Sequence, residues 1–367
     1  MRRIIGLIAA LMIAPPLFGA QERLPFSMES VRIMALGGAM TCLTDEEHTP
    51  LYNPASLEYL QDSYLAIFGL GVRLNSDAVK TCEKLASETN LRTSKLERLE
   101  PGVVTTLSLY SPTFALTGPV QICYARRRFG FSLIRPWISL DPSYAYSFEE
   151  RRSKVRVSGI ADSALVISYG RRIYRDLSIG LSLKYMTRFE ANDEVLNLVD
   201  RKGIAHIRSG ICWDFGLVYD LKRYSLKIGL LSRNVLGSLK GRVLKLDDLD
   251  LRPGVKYRVK RRTRIGLLYQ PDFKIPYGRL AYYPYRTLIT LDLGDGDSLA
   301  ERIHLGMEVM PFRWLALRCG LNDGLRLGVG IRSAVLKIDY AFISSFKDKL
   351  SNEEIGGVHA FSVIFSY

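Results

Sequence analysis

The feature that most constrains this chain is a two-residue alternation in which the polar partners are small or charged. In Leu177 to Arg188, LSIGLSLKYMTR, the residues Leu177, Ile179, Leu181, Leu183 and Tyr185 share one face. Ser178, Gly180, Ser182, Lys184, Met186 and Arg188 share the other. Successive side chains of a strand point to opposite faces, so the segment has one apolar face and one mostly polar face. The same pattern runs through Trp213 to Tyr219, Leu226 to Leu230, Ile303 to Val309, Leu325 to Ile331 and Leu336 to Phe342. Short polar turns join these runs. Asn322-Asp323-Gly324 is the clearest, because Asn and Gly tolerate the positive φ of a tight hairpin. The expected topology is an antiparallel meander of roughly fourteen to sixteen strands, each of about ten residues, a length that crosses a bilayer when tilted.

A soluble β-sandwich or propeller with its apolar face inward is the alternative. A sandwich of 367 residues would ordinarily split into domains, yet no linker breaks the chain, and no propeller-type repeat is present. The glycines lie on the polar face, where a curved wall crowds its interior. The C-terminus, GGVHAFSVIFSY, ends with Phe361, Val363, Phe365 and Tyr367 on one face, as a closing strand exposed to lipid would. These features favour an all-β, antiparallel transmembrane β-barrel of about fourteen strands.

Residues 1–20 read as an export signal. Arg2 and Arg3 precede the apolar run Ile4 to Ile13, and Ala20 is the expected last residue before cleavage, although Phe18 is large for its position. An uncleaved anchor is the other reading. The formal charge is +14. On an exported chain that charge points to anionic lipid headgroups or an anionic solute, and away from nucleic acid. Cys42, Cys82, Cys123, Cys212 and Cys319 are odd in number and dispersed, with no CxxC spacing. They suggest packed thiols, with room for one bridged pair, and neither a disulfide framework nor a zinc site.

Two segments break the alternation. Ser76 to Leu99 has Val79, Cys82, Leu85 and Ala86 at helical spacing, so a helical insert is expected near residues 76–99. Met34 to Leu60, MALGGAMTCLTDEEHTPLYNPASLEYL, combines a Gly pair, an acidic patch and Asn53-Pro54-Ala55. Pro54 fixes a bend and restricts Asn53 to extended geometry. Apolar residues such as Met34, Leu36, Met40, Leu43 and Leu51 need a surface to bury against. The segment is expected to plug the barrel, or to cap it from outside. The expected organisation is thus a signal over 1–20, a hatch over 21–61 and a barrel over 62–367.

ALGGAM followed by LYNPASL resembles the FadL-type outer-membrane transporters of long-chain fatty acids and their relatives, including PorV-type barrels and the FadL-like barrels of spirochaetes. The matching positions are Gly37, Gly38, Ala39, Asn53, Pro54 and Ala55. LTGPVQICYARRRFGFSL and the late runs HLGMEV, LALRCGLNDG and GVGIRSAVLKIDYAF also resemble strands of these groups. The resemblance implies a fourteen-stranded barrel in the bacterial outer membrane, an N-terminal hatch in the lumen and a sideways exit through the wall. It implies passive uptake of hydrophobic or amphipathic solutes such as fatty acids. The PorV-type alternative implies binding of secreted or surface proteins without flux. No set of substrate-binding residues carries over.

No chemistry argues for an enzyme or a cofactor. His48, His206, His304 and His359 lack metal-ligand spacing, and no GxSxG, HExxH or Walker motif occurs. A Ser/His pair assembled only in space would escape this reading. DLGDGDS, Asp292 to Ser298, reads as a solvated Asp-Gly turn rather than a cation site. Lys184, Arg188, Arg302, Arg326 and Arg332 fall on polar faces. They either line a pore that favours anionic amphipathic solutes or pair with Asp214, Glu308 and Asp339 in a plugged barrel.

Overall fold

The computed structural model describes residues 23–24, 29–88, 112–118, 120–134, 138–147, 152–191, 204–245, 250–259, 261–271, 275–277, 280–282, 284–294, 299–347 and 354–367. The expected signal at 1–20 and the 89–99 part of the insert lie outside the described residues.

Among the described residues, fourteen strands form the wall. The first three are β1 (Tyr64–Asn75), β2 in two pieces (Phe114–Thr117 and Val120–Arg126) and β3 in two pieces (Phe129–Ile134 and Ile138–Ser147). Four long strands follow: β4 (Arg152–Tyr174), β5 (Leu177–Ala191), β6 (Ile204–Leu221) and β7 (Leu226–Lys245). β8 is again in two pieces (Asp250–Val259 and Arg262–Tyr269). The last six are β9 (Arg286–Leu293), β10 (Ile303–Phe312), β11 (Leu315–Leu321), β12 (Leu325–Arg332), β13 (Leu336–Lys347) and β14 (Glu354–Ser366). Each pairs antiparallel with its neighbour in sequence. β14 then pairs back onto β1, with Leu70 opposite Val363, and closes the barrel. Closure pairs the first and last strands, as a bilayer demands of a strand structure that would otherwise expose an edge. Outside the wall, Ile275–Tyr277 and Leu280–Tyr282 form a small hairpin.

Burial runs opposite to that of a soluble β-protein. In β5, Ser178, Ser182, Lys184 and Arg188 are buried, whereas Leu181 and Tyr185 are exposed. The same inversion exposes Leu70, Leu133, Ile167, Ile211, Leu267, Leu305 and Leu327 around the wall. Water would penalise such a surface and hydrocarbon favours it, so the chain is a transmembrane barrel. No described helix is long and apolar enough to cross a membrane, so the crossing is made by strands.

The two ends differ. Tight turns at 127–128, 175–176, 222–225 and 313–314 mark one end, which also carries exposed Tyr174, Tyr224, Tyr269, Tyr285, Trp314 and Tyr367. Amphipathic rings at that level form an interfacial girdle. At the other end, helix Ser76–Glu88 follows β1 directly. The Asn75 carboxamide oxygen accepts from the Ala78 amide at 2.8 Å and the Thr113 amide at 3.0 Å, tying the helix start to the strand.

Near the middle of the wall, β2 pairs β3 in two separate runs. Gln121 lies opposite Ile134 and Leu116 opposite Ile138, so the register shifts between them. Gly118, at φ +90°, sits at the break. A Cβ there would come within 1.8 Å of the Gly69 carbonyl oxygen on β1, so only glycine fits.

Leu327 is mid-strand on β12 and faces outward. Leu327→Arg is expected to destabilise the folded barrel in vesicles by about 2–4 kcal/mol, measured by equilibrium unfolding. If the apolar face were instead a soluble surface, the change would be neutral.

Candidate functional site

Val31 to Leu60 are buried or half-buried inside the barrel and constitute its plug. Local sequence explains the shape of the plug. Helix α1 (Val31–Ala35) starts at Ser30, whose hydroxyl accepts from the Ile33 amide. It ends in a Schellman turn: the Gly38 amide donates to the Ile33 carbonyl at 2.8 Å and the Gly37 amide to the Met34 carbonyl at 3.3 Å. Both glycines have positive φ, +69° and +84°. Gly37 also faces the wall, where a Cβ would meet the Leu305 carbonyl oxygen at 2.4 Å. Ala39 follows, buried, with its amide donating to the Leu36 carbonyl. Helix α2 (Thr49–Tyr52) and a 3₁₀ turn (Pro54–Tyr59) complete the plug. The Asn53 side chain accepts from the Ala55 amide at 3.1 Å, and Pro54 opens the turn with its φ already set.

A charged seat joins the plug to β9–β13. Arg32 is fully buried and forks to two carboxylates. It donates to Glu308 from Nε and Nη2 at 2.9 Å each, and to Asp45 at 3.0 Å. Its Nη1 also reaches Glu46 at 2.9 Å. Glu308, on β10, additionally takes Arg318 Nε at 2.7 Å and Arg286 Nη2 at 2.5 Å, with Arg332 3.6 Å away. Arg318 continues to Asp339 at 2.5 Å, and Arg286 returns to Asp45. Four guanidiniums, Arg32, Arg286, Arg318 and Arg332, thus face four carboxylates, Asp45, Glu46, Glu308 and Asp339. The seat is neutral. Beside it, Lys337 on β13 pairs with Glu47.

Elsewhere the wall meets the plug's backbone. Asp292 on β9 accepts from the Met40 amide at 2.8 Å, the Thr41 amide at 3.0 Å and the Thr41 hydroxyl at 2.7 Å. Arg264 donates to the Gly38 carbonyl at 2.7 Å and Arg233 to the Leu51 carbonyl at 2.6 Å. His304 Nδ1 lies 2.8 Å from the Gly37 carbonyl. The Asn53 amide group donates to the Thr41 carbonyl at 2.9 Å, and Gly216 on β6 leaves it room: a Cβ there would sit 1.9 Å from Asn53 Oδ1. These contacts satisfy polar groups of a short-helix segment that cannot satisfy its own ends.

An apolar region completes the interior. Ile33, Leu36, Met40, Leu43, Leu51 and Tyr52 of the plug pack on Ile134, Val166, Met186, Leu239, Leu268, Leu288 and Ile364 of the wall. Each such side chain contributes about 1.5–3 kcal/mol by burial. Buried ion pairs, by contrast, roughly cancel their own desolvation. Apolar burial therefore supplies the adhesion, and the charged seat fixes the plug's position.

The residues singled out in sequence fall as follows. Lys184 pairs with Asp214 at 2.7 Å, Arg188 with Asp162 at 2.7 Å and Arg332 with Glu308, whereas Arg326 donates to the Asn322 side chain at 3.0 Å and to the Met34 carbonyl at 3.4 Å. Arg302 departs from the expectation. It ends the short helix Leu299–Arg302 and is exposed, because the chain is still helical there and strand parity begins only at Ile303. Asp292 is likewise not in a solvated turn; it is a buried acceptor for the plug, and residues 295–298 of that run lie outside the described residues. Cys42, Cys123 and Cys212 are packed thiols, but Cys82 and Cys319 are exposed, and all five are free. Sequence reasoning missed Arg32, Asp292 and Arg318. The one local signal was the acidic run Asp45-Glu46-Glu47, which needs cations once it is buried.

The charges of the plug are tuned by the wall. Burial alone would push the Asp45 carboxyl up; Arg286 and Arg32 outweigh it and hold the group well below its usual range. Burial acts likewise on Glu47, and Lys337 and His48 outweigh it, bringing the group down to about 2.

No protein-family model matches the sequence, and no curated protein matches it. Solved structures do. A TodX monoaromatic hydrocarbon channel carrying the deltaS2S3 mutation is 13% identical, with a TM-score of 0.51 over 90% of this chain and 98% of that one. The toluene transporter TodX of P. putida is 14% identical, with a TM-score of 0.46 over 91% and 96%. A Pseudomonas aeruginosa FadL homologue is 11% identical, with a TM-score of 0.45 over 95% and 98%. At these identities the likeness is one of fold. It runs the whole length of the mutant TodX channel, and it adds nothing for the PorV-type or spirochaetal side of the resemblance.

Arg32→Ala would leave Glu308 and Asp45 with one guanidinium fewer in a buried site. The expected cost is about 3–5 kcal/mol, read as plug release and new protease cleavage between residues 31 and 60 at neutral pH. The pH dependence has a definite sign. Carboxyls whose folded pKa is depressed stabilise the seated plug above their unfolded values, and that contribution is lost as pH falls through the folded ones. Pepsin is therefore expected to spare the plug at pH 4 and to cut it only as pH approaches about 2. Release already between pH 5 and 4 would contradict the seat.

Proposed function

We propose that the chain is an outer-membrane channel that passes hydrophobic or amphipathic solutes by diffusion, with residues 29–60 as its gate. The observation that carries this reading is the plug itself. It is wedged in the lumen by apolar contacts on one side and a neutral charged seat on the other. A purely structural barrel has no need of a separate stopper, and a porin would leave a water-filled lumen. Apolar side chains of the wall next to the plug suit a solute with little charge. The balanced seat argues against an open anion path and leaves a fatty carboxylate as the largest charge the route would carry. The fold likeness to a monoaromatic hydrocarbon channel supports the same class of cargo. Long-chain fatty acids and small aromatic hydrocarbons both belong to it.

Gly37, Gly38, Ala39, Asn53, Pro54 and Ala55 then act as the gate's shaping residues and touch no solute. A sideways exit would lie where β2 and β3 shift register beside Gly118. Gln121, at that break, contacts the plug residue His48. Movement of the plug would thus be felt at the wall.

The test uses a disulfide lock. A Cβ at Gly229 on β7 would lie 2.7 Å from Sγ of the native Cys42 in the plug, within reach of an S–S bond. Oxidised Gly229→Cys protein in liposomes is expected to lose uptake of labelled long-chain fatty acid or toluene by tenfold or more on the order-of-magnitude scale of a blocked gate, and a reductant is expected to restore it. Undiminished uptake by the locked protein would rule out the plug as gate. Absence of uptake by the unlocked wild type would rule out the channel.

A further inference from the structure

The tight-turn end of the barrel carries a basic rim that the plug engages only in part, through Glu58 on Arg127 and Arg128 and Tyr59 under Arg172. Three adjacent turns build it. The β2–β3 turn presents Arg126, Arg127 and Arg128, all exposed. The β4–β5 turn presents exposed Arg171 and Arg175 with half-buried Arg172. The β6–β7 turn presents exposed Lys222 and Arg223. The acids among them are Glu58, which pairs with Arg127 and Arg128, Asp176, which pairs with Lys222, and Asp220. Eight cations against three anions leave five net positive charges on one arc of the rim.

The cations are held at the level of the aromatic girdle. Arg175 lies over the Tyr174 ring at 5.3 Å and Arg223 over the Tyr224 ring at 5.7 Å. Tyr174 and Tyr224 are themselves exposed, next to outward-facing Tyr169 and Tyr219. Guanidiniums stacked on interfacial tyrosines sit where phosphates of a bilayer lie. Two of the arginines also occupy unfavourable backbone positions. Arg128 and Arg175 have φ of +72° and +39°, where Gly or Asn is the ordinary residue. Those turns carry side-chain charge at a conformational cost.

We propose that this three-turn rim binds the phosphate headgroups of anionic phospholipids in the leaflet that the tight turns face. The rim is continuous with the lipid-facing wall, so lipid is already its neighbour, and its charge is complementary to an anionic headgroup. Its Arg forks match phosphate oxygens in pairs. The inference rests on the barrel's position in a membrane and is independent of what the channel conducts.

The experiment counts retained lipid. Full-length protein in nanodiscs of equal phosphatidylcholine and phosphatidylglycerol is released gently, and co-purifying lipid is measured by native mass spectrometry. Wild type is expected to retain phosphatidylglycerol in preference. Combined Arg171→Gln, Arg175→Gln, Lys222→Gln and Arg223→Gln is expected to lower that preference on the order of tenfold, with heat-modifiable migration on gels intact. Lys240→Gln with Lys256→Gln, on strand positions away from the tight turns, is expected to leave it unchanged. Absence of preference in wild type, retention of it by the fourfold variant, or equal loss in the distant variant would each overturn the proposal.

Discussion

The interior depends on one buried contact, the fork of Arg32 onto Glu308. A barrel of this width with polar inward faces cannot fold dry unless those groups find partners. Glu308 accepts from guanidiniums on three different elements, and Arg32 supplies the plug's share. Remove Arg32, and the acidic run Asp45-Glu46-Glu47 faces the wall with less to hold it. Remove Glu308, and Arg32 and Arg286 share only Asp45 between them, while Arg318 is left with Asp339 alone on its own side. The plug and the wall are therefore not independent domains. Each completes the other's charge balance.

This division of labour gives the plug both adhesion and a defined position. Apolar burial is non-directional and survives small shifts. Buried ion pairs contribute little net energy but tolerate only one geometry. A segment held by the first and positioned by the second has a defined resting place. The chain's formal excess of positive charge is consistent with that picture, because it lies largely outside the seat. The seat is neutral, and the tight-turn rim carries a net excess of cations.

Much of the wall was legible in the sequence, and the reason is locality. Period-two alternation assigns each residue a face from its nearest neighbours, so the outward Leu181, Leu305 and Leu327 and the inward Lys184 and Arg188 could be read directly. Asn322-Asp323-Gly324 and the aromatic C-terminus follow from equally local rules. The seat was not legible, because Arg32 and Glu308 are 276 positions apart. Asp292 looked like a turn residue because Gly294 follows it closely, yet it is the inward position of β9 that meets the free amides of Met40 and Thr41. Arg302 failed for the opposite reason: parity was extended one residue past the true start of β10. The Gly37-Gly38 and Asn53-Pro54-Ala55 motifs marked the plug, and their roles turn out to be a Schellman turn and a 3₁₀ start against close-packed wall backbone.

The most direct test of the account is to ask whether a hydrophobic solute enters the space between plug and wall. A diazirine-bearing alkyl or aryl probe can be photolysed during uptake into proteoliposomes, and the labelled peptides mapped by mass spectrometry. The account predicts labels on inward residues beside the plug, Met186, Leu239, Leu268 or Leu288, in amounts that fall when unlabelled solute competes. Labels confined to outward positions such as Leu181 and Ile211, unchanged by competitor, would mean that the probe only samples bulk lipid and that the lumen conducts nothing.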